Sequence, residues 1–513
     1  MTKPYKPLAK FLTFATSAII CTGFLYSLGA DTFIYRDFWR TFFYSWSAIK
    51  ETLFNIGGFS SLAGDFLLQT GGTGALAAMA LMSALALWLL CRVLIEDCGS
   101  TTLAPLTLAV PATIAIAHQD PLLDAGTVVS MILAFAAFLG RRKKESTSWL
   151  YIYTIAAALL LFILGGCAAS IFVIFCLIDD CRNSKNLLSS LAAAVAVAFA
   201  AFLAEKLGIV PSVFRSLTPA GFFFHLAKVP AIVWYPWGVA VAIFAAASIF
   251  KPVLKGKLSH AIVGILALGA VAGCMMPLKN KFLDEFSQAG KSLAIKVVYG
   301  DWNGVLRLCD QHPELYEGNL IFMNCANMAY AHKGKLVEKV LQAGAYDYKV
   351  FLMPKSKSSP YVNGLLSQLH YRMGSIFTAM QYSFESLEGL DNRSPLMLVM
   401  QVRTNMIFGN YALAEKYIRQ LEHTLYYSRW ATGQRKFLWN DEAVASDKEY
   451  GPKRTGISHN NNTLTDFRQS LADIVEADPT NRIAMQYLAM ACFISSDIEL
   501  YNSLRERYEN SEQ

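Results

Sequence analysis

Two stretches of this chain, Thr73 to Leu90 and Leu187 to Ala204, contain no ionisable side chain. As helices they are close to the length of about 20 apolar residues that a bilayer core demands. Inside a bilayer each backbone N–H and C=O must be satisfied within the segment, so runs of this kind read as transmembrane helices. The pattern recurs through the first half. Leu8–Gly29, Thr73–Cys91, Thr101–Ala117, Leu122–Gly140, Ser148–Leu164, Cys167–Ile178, Leu187–Ala204, Ala231–Phe250 and Leu258–Pro277 together predict about nine spans. Gly165-Gly166 divides the longest apolar stretch, which exceeds what modest tilt absorbs, so a hairpin of two helices is expected there rather than one long helix.

Lys and Arg near the span ends set the orientation. With the N-terminus inside, the inner side holds Lys3, Lys6 and Lys10, Arg92, Arg141 to Lys144, Arg182 with Lys185, and Lys251, Lys255 and Lys257. The outer loops are longer in total yet hold only Arg36, Arg40, Lys50, Lys206, Arg215 and Lys228. An odd number of spans then places the C-terminal part outside. The first span resembles a signal peptide, but Leu28-Gly29-Ala30 is a poor cleavage site and the core is long, so an uncleaved anchor is expected. Clusters beside apolar runs also account for much of the net charge of +7, and no basic stripe interleaved with aromatics points to nucleic acid.

After about Lys279 the charge spreads evenly, as in a soluble domain. The division therefore falls at 1–277 for the membrane part and 278–513 for the tail. The tail reads as helix pairs turning at Gly334, Gly374 and Gly409, spaced 40 and then 35 residues apart. That is near the roughly 34-residue period of tetratricopeptide repeats. Ala379 and Ala414 each follow their glycine by five residues, where a small side chain lets the second helix close on the first. Asp478 opens a last pair over Ile483–Ile494 and Asp497–Tyr508, and Tyr427–Asn462 reads as a long loop over the repeats. The expected fold is all-α: a polytopic bundle followed by a soluble, tetratricopeptide-like repeat domain.

Cysteine usage is uninformative, with no spacing that suggests zinc. Cys309 and Cys325 can pair if that region lies in an oxidising compartment, and can equally stay as two buried thiols. The loop Asp31–Gly72 mixes acids with many aromatics, which suits helices lying in the membrane interface. Asp31, Asp37 and Asp120 are the candidate catalytic residues, with Asp124 beside the last. Membrane glycosyltransferases that use lipid-linked sugars place acids after the first span and between the third and fourth. There a carboxylate serves as base or holds a divalent metal on the donor phosphates. The plainer reading makes Asp31 the polar end of a span and Asp120 a loop or capping residue. No cofactor is expected, and a metal only if glycosyl transfer holds. The loop 211–230, with Arg215, His225 and Lys228, reads as an anchor whose cations snorkel.

Several segments carry a resemblance. Asp65-Phe-Leu-Leu-Gln-Thr-Gly-Gly72, Gly300-Asp-Trp-Asn-Gly-Val-Leu306, Tyr371-Arg-Met-Gly374, Phe408-Gly-Asn-Tyr-Ala-Leu-Ala414 and Tyr426-Tyr-Ser-Arg-Trp-Ala431 resemble a polytopic membrane family of Gram-negative bacteria, domain of unknown function six-zero-five-seven. The resemblance covers nearly the whole chain. It implies an inner-membrane location with a periplasmic tail, and no activity or site residue. The expected function is binding or scaffolding of an envelope protein or peptide by the helical repeats, with the lipid bilayer as the other partner. The alternative is a glycosyltransferase.

Overall fold

A computed structural model of the chain describes residues 5–29, 31–95, 104–143, 146–183, 187–225, 227–249, 257–283, 285–343, 359–457 and 467–510. Of the features read from sequence, Lys3, Cys98, Lys144, Lys185, Lys251, Lys255 and His459–Asn462 lie outside the described residues. Regular structure among the described residues is helical throughout, with one isolated bridge between Leu123 and Phe223. The helices form two units, Met1–Ile34 with Tyr44–Asp284 and Tyr35–Phe43 with Glu285–Gln513. The division after Asp284 lies close to the expected boundary, but Tyr35–Phe43, read from sequence as part of an interfacial loop, groups with the tail.

The first unit begins with α1 (Tyr5–Leu28) and the opening residues of α2 (Asp31–Trp39), whose part from Tyr35 belongs to the second unit, and continues with the short helices α3 (Trp46–Leu53) and α4 (Gly58–Leu68). Next come α5 (Gly72–Val93), α6 (Ala109–Ala117), α7 (Gly126–Arg141), α8 (Thr147–Gly165), α9 (Ala168–Asn183) and α10 (Leu187–Lys206). A short α11 (Val213–Leu217) leads to α12 (Tyr235–Ile249) and α13 (Lys257–Phe282). Each of the nine apolar segments thus carries helix. By length and composition, four are long and apolar enough to cross a membrane: Gly72–Val93, Thr147–Gly165, Leu187–Lys206 and Ala231–Ile249. A fifth is added if Ser17–Leu28 and Asp31–Trp39 count as one broken span. Gly166 sits at φ +51°, a conformation that suits glycine, and there α8 ends and α9 turns back to pack on it. The two-helix hairpin is therefore what the structure contains.

Apolar side chains face outward along α8 and α10, among them Ile152, Leu160, Ile163, Val195, Phe199 and Phe202. In water such a surface is unfavourable, whereas lipid accepts it. Inward, Phe135 and Phe138 of α7, Phe175 of α9 and Phe244 of α12 form one fully buried aromatic group, with Phe175 and Phe244 stacked at 4.3 Å. Gly64 and Gly126 let α4 and α7 touch backbone to backbone. A Cβ on Gly126 would sit 2.8 Å from the Ser61 nitrogen. Arg141, expected in a charged loop, is instead 2% exposed at the end of α7. It donates to Thr154 of α8 at 3.0 Å, to Asp179 and both oxygens of Asp180 on α9 at 3.3 and 2.8 Å, and to Ser189 of α10.

The second unit runs through α14 (Glu285–Tyr299), α15 (Trp302–Gln311) and α16 (Pro313–Gly318) into three helix pairs. These are α17 (Leu320–His332) with α18 (Leu336–Ala343), α19 (Pro360–Met373) with α20 (Ile376–Gly389), and α21 (Pro395–Ile407) with α22 (Tyr411–Glu422). Gly334, Gly374 and Gly409 stand between the members of each pair at φ +72°, +98° and +74°, and Ala379 and Ala414 are fully buried. Polar side chains stitch neighbouring helices: Ser367 donates to the Ala379 carbonyl at 2.8 Å, and Gln401 to Met380 and Ser383.

What reads from sequence as a loop over 427–462 is folded up to residue 457. It contains α23 (Ser428–Gln434), a 3-10 turn, α24 (Asp441–Ser446) and α25 (Tyr450–Thr455). These short helices bury Ala431, Phe437, Val444 and Tyr450, side chains too widely spaced to show a period. Ion pairs fasten them, Arg435 to Glu422 at 2.6 Å and Arg454 to Asp441 at 2.6 Å. The chain ends in α26 (Phe467–Ala477), α27 (Arg482–Ile494) and α28 (Ile498–Asn510). The final pair returns onto α17, α18 and α19, where Gln486 donates to the Ala331 carbonyl and accepts from the Leu336 N–H.

Candidate functional site

The three carboxylates singled out in the sequence do not fall in one unit. Asp31 and Asp120 belong to the first and Asp37 to the second. Asp31 opens α2, where a negative charge suits the helix dipole. Asp120 Oδ1 accepts the Leu122 N–H at 2.9 Å, the short-range turn bond that an Asp side chain forms readily. Asp124 is more deeply set, accepting from the Gly126 N–H at the start of α7 and from the Ser61 hydroxyl. Beside it His118 Nε2 meets the Thr127 hydroxyl at 3.2 Å, and Thr32 donates to Gln119 at 2.7 Å. This group ties the start of α7 to α4 and α2. Asp37 lies near Tyr427, whose hydroxyl is pushed up first by burial and then by that carboxylate. Among the described residues no three His, Cys, Asp or Glu side chains are grouped to hold a metal ion. The nine described cysteines, Cys309 and Cys325 among them, are free thiols.

A denser concentration of chemistry lies in the second unit, where α25 packs on α21. Arg372 lies over the Trp302 ring at 5.0 Å, and Trp302 stacks on His332 at 4.4 Å with the planes 14° apart. Arg403 lies 5.7 Å from the Tyr371 ring and 5.8 Å from that of Trp430. Lys453 lies 5.1 Å from the same Tyr371 ring. Cations over aromatic faces are attracted by the ring quadrupole, more strongly when desolvated. The carboxylate at the centre is Glu449, which accepts from the Tyr371 hydroxyl at 2.8 Å and pairs with Arg403 at 3.3 Å. Arg372 also donates to the Val298 carbonyl at the end of α14, while its Nε is buried without a hydrogen-bond partner.

Local signals build this arrangement. Gly300 ends α14 at φ +73°, Asp301 caps α15 by accepting the Gly304 N–H, and Trp302 follows at the first turn. Asp447 accepts the N–H groups of Glu449 and Tyr450 and so starts α25, one turn before Lys453. Burial lowers the Lys453 ammonium below its ordinary value, with Glu449 opposing and Arg372 and Arg403 adding to the push. The Arg372 guanidinium is lowered by burial and then by Arg403. His332 is pushed down to about 4 by burial, Arg372 and Lys453, so it stays neutral near pH 7. None of these residues was singled out individually as functional in the sequence, because the fold brings them together from positions up to 151 apart (Trp302 to Lys453). Three of the segments that carry the family resemblance, at Trp302, at Tyr371-Arg372 and at Trp430, nevertheless meet here.

Beside the cluster, His370 is 5% exposed, stacks on Tyr382 at 5.4 Å, and has no partner at Nδ1 among the described residues. Burial pushes its imidazole down to about 3. The unfolded chain takes up this proton near the ordinary value of about 6.5, so more protons bind on unfolding between those limits. Stability is fully present above about pH 6.5 and falls as the pH drops toward 3. His370→Phe is expected to remove this part of the acid sensitivity, about 2 to 3 kcal/mol between pH 7 and 4.5. Urea titrations of both proteins at the two pH values measure it, and parallel losses would refute the assignment.

No curated protein and no solved structure matches the chain. One family model does, over residues 4–513, and its description is a family of unknown function, DUF6057. With that match spanning almost the whole sequence, the chain belongs to the DUF6057 family.

Proposed function

We propose that this is an integral inner-membrane protein that holds an envelope protein or peptide through its C-terminal helical unit. In this reading about nine helices cross the membrane, the N-terminus lies inside, and the helix pairs, tetratricopeptide-like in spacing and turn, face the periplasm. The asymmetry of Lys and Arg supports the orientation. The observation that carries the binding role is the cation–aromatic cluster of Arg372, Arg403 and Lys453 with Trp302, Tyr371 and Trp430. Arg and Trp are the residues that dominate binding energy where proteins meet partners, and helix-pair arrays present extended surfaces to them.

The experiment is capture from intact cells. The full chain with a C-terminal tag, cross-linked before solubilisation, is expected to recover one reproducible partner. Recovery should fall when residues 428–457 are replaced by a flexible linker. Background recovery alone would refute the binding role. A phosphatase fused to the C-terminus should be active, and inactivity would overturn the orientation. Glycosyl transfer remains the second reading and makes a separate prediction. Single Asn replacements of Asp31, Asp37 and Asp120 would then alter surface glycans, and unchanged glycans in all three dispose of it.

A further inference from the structure

We infer that Arg372, Arg403 and Lys453 form a binding site for a phosphate group on the ligand, an inference that rests on the binding role proposed above. Charge balance is the first argument. Elsewhere in the unit Arg435 has Glu422 and Arg454 has Asp441 as a carboxylate of its own. Here three cations share Glu449, which is already taken up by Tyr371 and Arg403. Asp478 also acts on Lys453, but its Oδ1 accepts from the Thr480 N–H and hydroxyl. A purely structural ion pair has no need of the surplus, and gathering like charges costs stability. A bound anion recovers that cost.

The second argument is geometric. Arg372 lies over the Trp302 ring and Arg403 over that of Trp430, contacts that restrict both side chains, and a planar fork of N–H donors matches phosphate oxygens. Arg372 Nε is a buried donor with no acceptor among the described residues, a state that costs free energy. The donors come from three helices: Arg372 from α19, Arg403 from α21 and Lys453 from α25. That division suits the several oxygens of a tetrahedral dianion better than the single edge of a carboxylate. Counted against both Glu449 and Asp478, the three cations still leave one positive charge in surplus.

The test uses the full-length protein in neutral detergent, titrated with inorganic pyrophosphate by calorimetry. Saturable binding that weakens with added salt is expected. The pair Arg403→Ala with Lys453→Ala should weaken it about tenfold or more. Glu449→Gln should tighten it roughly threefold, a gain that misfolding cannot imitate. Vesicles of phosphatidylglycerol, compared with neutral vesicles, show whether the phosphate can be that of a lipid headgroup, and variant-sensitive binding to either source supports the site. Absence of pyrophosphate binding overturns the inference, as does a poly-glutamate peptide that binds more tightly. Loss on Glu449→Gln overturns it too. A chain that still captures its partner but ignores pyrophosphate refutes this inference alone. One that binds pyrophosphate but captures nothing refutes only the partner role.

Discussion

Replacing Trp39 by Ala is expected to destabilise the second unit by about 3 to 5 kcal/mol, although Trp39 lies more than 240 residues before that unit's main part. Trp39 is 4% exposed and meets Tyr361 edge-on at 5.2 Å and Tyr35 at 5.6 Å. Gly364 of α19 gives it room, because a Cβ there would lie 2.5 Å from the indole. Phe38 next to it packs on Tyr299 at 5.9 Å, and its carbonyl accepts from the Ser394 hydroxyl at 2.8 Å. The strip is thus part of the core of this unit. A loss of that size is a large share of the usual 5 to 15 kcal/mol of a folded domain, roughly stated. Helical bundles in detergent resist urea, so the urea-sensitive helical transition reports the second unit. It should move to lower urea in Trp39→Ala and in Gly364→Ala. Trp39→Phe should cost about 1 kcal/mol or less, because the indole N–H is buried without a partner and removing it relieves that burden. An unshifted midpoint in Trp39→Ala would show that the strip is not needed. The same reasoning makes residues 285–513 alone an incomplete domain, and fusing residues 35–43 to them should restore the transition.

How much of this was readable in advance follows from the range of each signal. The nine apolar segments are local signals, and each carries helix among the described residues; so do the partners on either side of Gly334, Gly374 and Gly409. The hairpin at Gly165-Gly166 was legible for the same reason. Tyr35–Phe43 was not, since an aromatic-rich strip before a span suits a membrane interface equally well. Its contacts with Tyr361, Gly364, Tyr299 and Ser394 decide otherwise. The helices over 428–457 escaped because each is at most seven residues long, too short to display a period. The cation–aromatic cluster joins four separate stretches, and nothing in any one of them announces the others. Asp120, for which the plainer reading was a loop or capping residue, accepts the Leu122 N–H in a short-range turn bond.

Arg141 carries the second large expectation, and it turns on the difference between breaking a buried charge network and replacing it. In the sequence it is the first of four consecutive basic residues, and a positive loop explains all four. In the structure the first of them is 2% exposed, with its guanidinium engaged by residues of α8, α9 and α10. Arg141→Ala leaves Asp179 and Asp180 buried beside a hole, a change that costs about 3 to 5 kcal/mol. Asp180→Asn, which keeps one acceptor for the guanidinium, should cost less. The triple replacement Arg141→Met, Asp179→Leu and Asp180→Leu removes every charge together, and buried pairs exchanged for apolar groups are often neutral or better. SDS titration of the purified protein, following loss of helix, ranks the variants. The expected order of stability is wild type close to the triple variant, then Asp180→Asn, then Arg141→Ala. A triple variant as unstable as Arg141→Ala would mean that the fold depends on the charges themselves, as a helix register set by an ion pair requires. An Arg141→Ala protein as stable as wild type would mean that the carboxylates find water or a proton at little cost, and that the guanidinium holds nothing together.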